Sequence, residues 1–247
     1  MNKRRRIALI ASTCLVAVAA LGVTDTVVEG RAERRVADAA GCRLDAAKGV
    51  HVDLTEPLAG LRALTGSVGT VRIEADGVRR QDMDLKVTAV LHGVSTDGST
   101  SGGAATATAP YDQLAAGQAG RDPGLAGLKA GTDGAHLTLT GSTGGAGGGG
   151  LPVTVTADLT TTSNSVTVTP ATLTVLGQRI PVGSVTSLPG AARFADRLAP
   201  RTLPVTGLPE GAEITGARAT ADGLAVDLSL PAGPAPDTGA GKRCAGA

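Results

Sequence analysis

The chain has 247 residues, with one Phe, one Tyr and no Trp against 36 Gly and 13 Pro. Hydrophobic residues nonetheless reach 42%, nearly all Val, Leu and Ala, and the formal net charge is only +1, which excludes a disordered polyelectrolyte. The glycines have no three-residue period, which excludes collagen. With neither a basic excess nor an aromatic stacking platform, the composition argues against nucleic acid as a partner.

Lys3, Arg4, Arg5 and Arg6 precede an uncharged apolar run over residues 7–23. A basic segment followed by such a run is an export signal. Two fates compete. Ala17-Val18-Ala19 fits a cleavage site, whereas an uncleaved run would be an anchor, slightly short of the roughly 20 residues that span a bilayer. A lipidated Cys14 is the weaker reading, because Thr13 is a poor neighbour for it. Residues 1–24 are therefore expected to be a signal peptide or membrane anchor, and either places the chain in the cell envelope or beyond. Removing residues 1–19 leaves 19 basic and 22 acidic residues, net −3. Contact with a membrane surface is thus expected through the N-terminal segment. Two cysteines remain, Cys42 and Cys244; in an oxidising compartment an even count favours a disulfide. The bond would close a loop of about 200 residues and contribute about 3–5 kcal/mol. A metal site would need further ligands at short spacing.

Residues 26–40 read as a helix, with Val28, Ala32, Val36 and Ala39 at spacings of four and three, and Gly41 as a stop. Residues 50–54 alternate as a strand. Pro57 opens a second helix that places Leu58, Leu61 and Leu64 on one face and ends at Gly66. A strand over 68–75 sets Val71, Ile73 and Ala75 against Thr70, Arg72 and Glu74. Asp76-Gly77 reads as a turn, in a connection lengthened through Gln81. The strand over 83–94 points Met83, Leu85, Val87, Ala89 and Leu91 one way and Asp84, Lys86, Thr88 and His92 the other, with Val90 an exception. Residues 95–103 read as a polar loop, 104–109 as an Ala/Thr strand and 111–116 as one or two helical turns.

Residues 135–140 form a further expected strand. The glycine run 144–150 lacks the Lys-Ser/Thr ending of a phosphate-binding loop and reads as a flexible connector. Strands follow over 151–160 and 165–176, the second broken at Pro170, then a helix over 190–198. Strands over 212–220 and 224–230 turn at Ala221-Asp222-Gly223. Residues 25–230 thus read as one α+β domain, a twisted, curved antiparallel sheet with a few short helices. Residues 231–247 read as a loose Pro/Gly-rich tail.

Catalytic signals are missing. His51, His92 and His136 sit in strand patterns, with no second His or carboxylate at a metal-ligand spacing. Glu56, Asp76, Asp82, Asp84 and Asp222 lie at turns or strand edges, and no pair is selected as acid and base. Neither a Gly-x-Ser-x-Gly elbow nor a His-Glu-x-x-His helix occurs. No enzyme, metal or cofactor is expected. What stands out is aliphatic surface without aromatics. Such surface suits a cavity for acyl chains, at roughly 0.8 kcal/mol per buried CH₂; it equally suits an ordinary core encoded by GC-rich codons.

The order of short segments adds to this. Val27-Val28-Glu29-Gly30-Arg31-Ala32-Glu33 precedes Val52-Asp53-Leu54 and its Leu-rich helix, then Gly69-Thr70-Val71-Arg72-Ile73-Glu74-Ala75-Asp76-Gly77-Val78. His92-Gly93-Val94, Thr106-Ala107-Thr108-Ala109-Pro110-Tyr111, Leu208-Pro209-Glu210-Gly211-Ala212, Ile214-Thr215 and Asp222-Gly223-Leu224-Ala225-Val226 follow. From about residue 27 to 230 the chain resembles the LmeA-type phospholipid-binding proteins of actinobacterial cell envelopes. The resemblance implies noncatalytic phospholipid binding, with a link to envelope glycolipid maturation. It also implies a fold like tubular lipid-binding domains, a curved sheet around a helix with an apolar slot. The helix that usually reads Gly-Phe-Pro-Phe-Leu-Thr is here Leu54-Thr55-Glu56-Pro57-Leu58-Ala59, without aromatics, so the lipid and the pathway need not be the family's. The slot is expected along Leu58, Leu61 and Leu64 with Val71, Ile73, Leu85, Val87 and Leu91; an ordinary core is the alternative. Arg62, Arg72 and Arg79 are the candidates for a phosphate contact at its mouth, with surface solvation as the alternative. A solid-sheet interaction module of the cell wall is the competing reading of the whole chain, and an exported hydrolase with His51 or His136 near a serine or carboxylate is a third.

Overall fold

Alternating aliphatic and polar residues, rich in Val and Thr, favour extended backbone. The computed structural model describes residues 49–56, 66–80, 83–114, 129–142, 150–186 and 198–234. In chain order the strands are β1 (Val50–Leu54), β2 (Ser67–Arg80), β3 (Met83–Ser95), β4 (Ser99–Thr100), β5 (Gly103–Ala109), β6 (Lys129–Thr132) and β7 (Leu137–Ser142). They continue as β8 (Pro152–Thr161), β9 (Ser165–Val175), β10 (Gln178–Pro181), β11 (Arg201–Pro204), β12 (Glu213–Thr220), β13 (Gly223–Leu230) and β14 (Gly233–Pro234). Helix among the described residues is confined to a turn at 111–114 and to α1 (Val182–Thr186).

The strands form two six-stranded antiparallel sheets and a small ribbon. The first sheet has the order β1-β2-β3-β5-β13-β12. The second has the order β10-β9-β8-β7-β6, with β11 also on β9. Because β8 takes one edge of β9, β10 and β11 share the other, pairing with Thr172–Val175 and Ser165–Val168 respectively. The expected single curved sheet is therefore two, and neither closes into a barrel. The expected helices over 26–40 and 57–64, and all but Leu198 of 190–198, lie outside the described residues.

Asp76-Gly77 does not turn the chain. β2 runs through it for 14 residues, and the register steps from Asp76↔Lys86 to Val78↔Leu85. Gly77, at φ 69°, is the extra residue of a β-bulge, in a left-handed conformation that glycine adopts without steric cost. The bulge keeps Ala75 and Val78 on one face, at 1% and 2% exposure. Without it, everything after Asp76 would change sides. Pro170 likewise bends rather than breaks its strand. β9 is continuous, and the register passes from Thr156↔Thr172 to Ala157↔Pro170, leaving Ala171 as a bulge beside the missing N–H. The expected polar loop after β3 contains β4, and the start of the expected loose tail is β14, which pairs with it.

The two sheets meet where β12 packs over β8 and β6. Leu137, Ala157 and Ala219 bury together there, with Tyr111, Leu159 and Val168 packed against them. The Tyr111 hydroxyl donates to the Thr220 carbonyl at 2.8 Å, fixing the 111–114 turn to the end of β12. Burial pushes the Tyr111 phenol pKa up. Ile214 N–H donates to Ser163 O and Val205 N–H to Asn164 O, both at 2.9 Å, so the β8–β9 turn is held by the chain on either side of residues 206–213.

Candidate functional site

Residues directly opposite one another in an antiparallel pair point to the same face of the sheet. In the first sheet, Val71↔Leu91, Ile73↔Ala89, Ala75↔Val87 and Val78↔Leu85 join β2 to β3 on one face. β1 extends this face with Val50, Val52 and Leu54, opposite Ala75, Ile73 and Val71. On the other side, Val87↔Ala107, Ala89↔Ala105 and Leu91↔Gly103 bring in β5. Leu224↔Ala109, Val226↔Ala107, Leu228↔Ala105 and Leu230↔Gly103 bring in β13. Ile214, Ala217 and Ala219 of β12 complete it. Apart from Arg80, which pairs with Met83 at the end of β2, this face is apolar or glycine.

That face is not flat. Along β5 it presents only Gly103, Ala105, Ala107 and Ala109, between Val87 and Leu91 of β3 and the Leu224, Val226, Leu228 and Leu230 row of β13. The result is a furrow with a floor of small side chains. Gly103 marks how closely the backbones approach: a Cβ there would stand 2.2 Å from Val90 O. Toward β1 the face is a packed core, in which Val52, Val68 and Val71 are at most 7% exposed. Around the furrow, Leu85, Val87, Ala89, Leu91, Ala107, Val226, Leu228 and Leu230 are only half-buried.

Val71, Ile73, Leu85, Val87 and Leu91 thus share one face, and the structure divides them. Val71 belongs to the packed part, while Val87 and Leu91 wall the furrow. Leu58, Leu61, Leu64 and Arg62, and both Cys42 and Cys244, lie outside the described residues. Sequence reasoning missed β5 and β13 as the centre of the face. Their alternation was visible, but alternation does not say which strands pair.

The opposite face is charged. Asp53 lies across from Arg72, and Asp76 across from Lys86. Arg218 pairs with Asp227, which also accepts from the Thr106 hydroxyl at 2.7 Å. Arg72 and Arg79 fall on this face, and Arg79 Nε lies 3.4 Å from Asp84 Oδ1. They stand on the far side of the sheet from the furrow.

The histidines are less isolated than their spacing indicated. His51 and Asp53, two apart on β1, point the same way and approach to 3.2 Å. His136 lies 3.4 Å from Asp133 and 3.7 Å from Asp158. All of these side chains are about half exposed or more, and no group of three ligands able to hold a metal occurs among the described residues. His136, Asp158 and Arg218 line a half-open cleft of about 340 Å³ where the sheets meet, with Ala135, Ala157, Leu159 and Ala217. That volume is at the low end for a ligand site. With ion-paired side chains along its wall, it suits acyl chains less than the furrow does. No helix among the described residues is long and apolar enough to cross a membrane.

No curated protein and no solved structure matches the chain significantly. The family model of LmeA-like phospholipid-binding proteins matches residues 23–229, a span that includes every strand of both sheets except the last residue of β13. The chain belongs to the LmeA-like phospholipid-binding family.

Proposed function

We propose that the chain is an exported carrier that holds a diacyl phospholipid noncatalytically, with acyl chain laid along the β5 furrow. The observation that carries this reading is the furrow itself, a run of Gly and Ala between aliphatic walls that, apart from the buried Leu224, are left half-buried. Its seven residues extend over roughly 20 Å at about 3.4 Å per residue. One leaflet of a bilayer core spans about 15 Å, so an acyl chain fits lengthwise. Flexible chains need no aromatic partners, since each buried CH₂ contributes about 0.8 kcal/mol through contact with Leu, Val and Ala. Family membership supports the ligand class. The basic, apolar N-terminal segment supports export, placement in the cell envelope and contact with the membrane surface.

Filling the furrow tests the proposal. Ala107→Leu keeps the face aliphatic but occupies the floor, whereas Thr108→Val alters the opposite face of the same strand. Displacing about two acyl methylenes is worth about tenfold in affinity. Ala107→Leu is therefore expected to lower phospholipid uptake from vesicles by at least that factor, and Thr108→Val to leave it unchanged. Equal uptake by a folded Ala107→Leu protein would remove the furrow as the site.

A further inference from the structure

The described residues expose two large hydrophobic side chains, and both stand at one end of the second sheet. Leu176 is 66% exposed and Leu151 49%. Leu176 and Gly177 form the two-residue loop between β9 and β10, across which Val175 pairs with Gln178. Their φ angles are 51° and 80°. Two positive φ angles define a type I′ turn, whose residues are ordinarily Asn, Asp or Gly. Leucine at such a position crowds its own Cβ against the backbone. It is the one non-glycine residue with positive φ among the described residues. Folding thus gains neither backbone ease nor apolar burial from this side chain. Leu151 immediately precedes β8, and Val153 pairs with Val175. Both leucines therefore sit at the same end of neighbouring strands.

Among the described residues, the charge around them has one sign. Lys129, Thr140, Thr154, Thr174 and Arg179 form a single row across β6, β7, β8, β9 and β10, and both terminal cations are exposed. Lys129 and residues 140–142, 150–154 and 174–181 include no Asp or Glu. The carboxylates of this sheet, Asp133 and Asp158, lie toward its other end. Protruding leucines backed by cations suit the boundary of an anionic bilayer, where the leucines enter the acyl region and the cations meet phosphates.

We propose that this end of the second sheet docks the chain on a bilayer carrying anionic phospholipid, the surface at which cargo is loaded or delivered. The delivery role rests on the carrier reading above; the docking does not. The chain has no tryptophan, so Leu176→Trp in the full chain places a single reporter at the tip, and Ala135→Trp one at the opposite end. Vesicles with brominated acyl chains, of phosphatidylcholine alone or mixed with phosphatidylglycerol, report which end enters lipid, whatever the N-terminal segment does. The expected result is a blue-shifted, quenched tryptophan at 176 on the mixed vesicles and an unchanged one at 135. Adding Arg179→Glu should then raise the vesicle concentration needed by roughly tenfold. A tryptophan at 176 that stays wet, or that is quenched equally without phosphatidylglycerol, would overturn the proposal. Counting phospholipid bound to the same proteins separates the two readings. A lipid-free chain with a quenched tip keeps the docking and removes the carrier, and a lipid-loaded chain with a wet tip does the reverse.

Discussion

On its polar face the first sheet carries Asp53, Arg72, Glu74, Asp76, Lys86, Arg218 and Asp227, whereas the second is mostly threonine, with Thr138, Thr140, Thr154, Thr156, Thr167, Thr169, Thr172 and Thr174 and only Lys129, Asp158 and Arg179 among them charged. Both present mainly Val, Leu and Ala on the other side, with Arg80 at the end of β2 and Arg201 at the start of β11 as exceptions. A one-residue slip in the first sheet would drive carboxylates and guanidinium groups into the aliphatic face, at several kcal/mol or more each. The same slip in the second would mostly exchange valine for threonine, which has the same shape, at about 1–3 kcal/mol for each unpaired hydroxyl, and would drive charge into the aliphatic face only at Lys129, Asp158 and Arg179. Charge alternation therefore fixes register in the first sheet. The second depends more on its turns and on the bulge at Ala171. The sheet with the more strictly specified register is the one that contains the furrow.

Substitutions that exchange the two chemistries sharpen this contrast. Val71→Asp puts a carboxylate at a site only 1% exposed and is expected to destabilise by about 4 kcal/mol or more in denaturant unfolding. A loss under about 1 kcal/mol would mean that the β2 face is wet. Val71→Thr keeps the shape and adds a hydroxyl, for an expected cost of about 2 kcal/mol. Tyr111→Phe removes the hydrogen bond to Thr220 where the sheets join and should cost about 1 kcal/mol. Thr156→Val, the reverse exchange on the threonine face, should stay within about 0.5 kcal/mol. A Thr156→Val cost equal to that of Val71→Thr would erase the distinction between the sheets.

Acid should act on the turns. The Ser95 hydroxyl, then the Ser99 N–H, hold the Asp97 carboxyl at about 2, below its ordinary value. Asp133 is also lowered, chiefly by the N–H groups of His136 and Ala135. Because the Asp97 value is depressed to about 2, its contribution is present above the ordinary carboxylate range and is lost as pH falls toward 2, and the Asp133 contribution is lost in the same direction. Hydrogen exchange of the β3–β4 turn should accelerate across that window and lose the dependence in Asp97→Asn.

Much of the first sheet was legible because strict alternation encodes a face. Val71, Ile73, Leu85, Val87 and Leu91 fall where their period places them. Asp76-Gly77 misled because a glycine with positive φ serves a hairpin and a bulge equally well, and only the partner strand distinguishes them. The short strands β6, β10 and β11, four residues each, are below the length at which a period can be read. The furrow was hidden for a different reason. It exists only once the small residues of β5 are set between β3 and β13, two strands more than 100 residues apart in sequence. Leu176 carried a local signal in the Leu-Gly pair before β10, but its exposure required the hairpin.

The most direct test of the central claim is the lipid content of the protein itself. The chain, produced with its own N-terminal segment in a host that exports it and purified without detergent, should give close to one phospholipid per protein by native mass spectrometry. Ala107→Leu should arrive largely empty. A wild-type protein that is lipid-free, and that takes up no diacyl lipid from vesicles, would contradict the carrier and leave the first sheet as a solid interaction module.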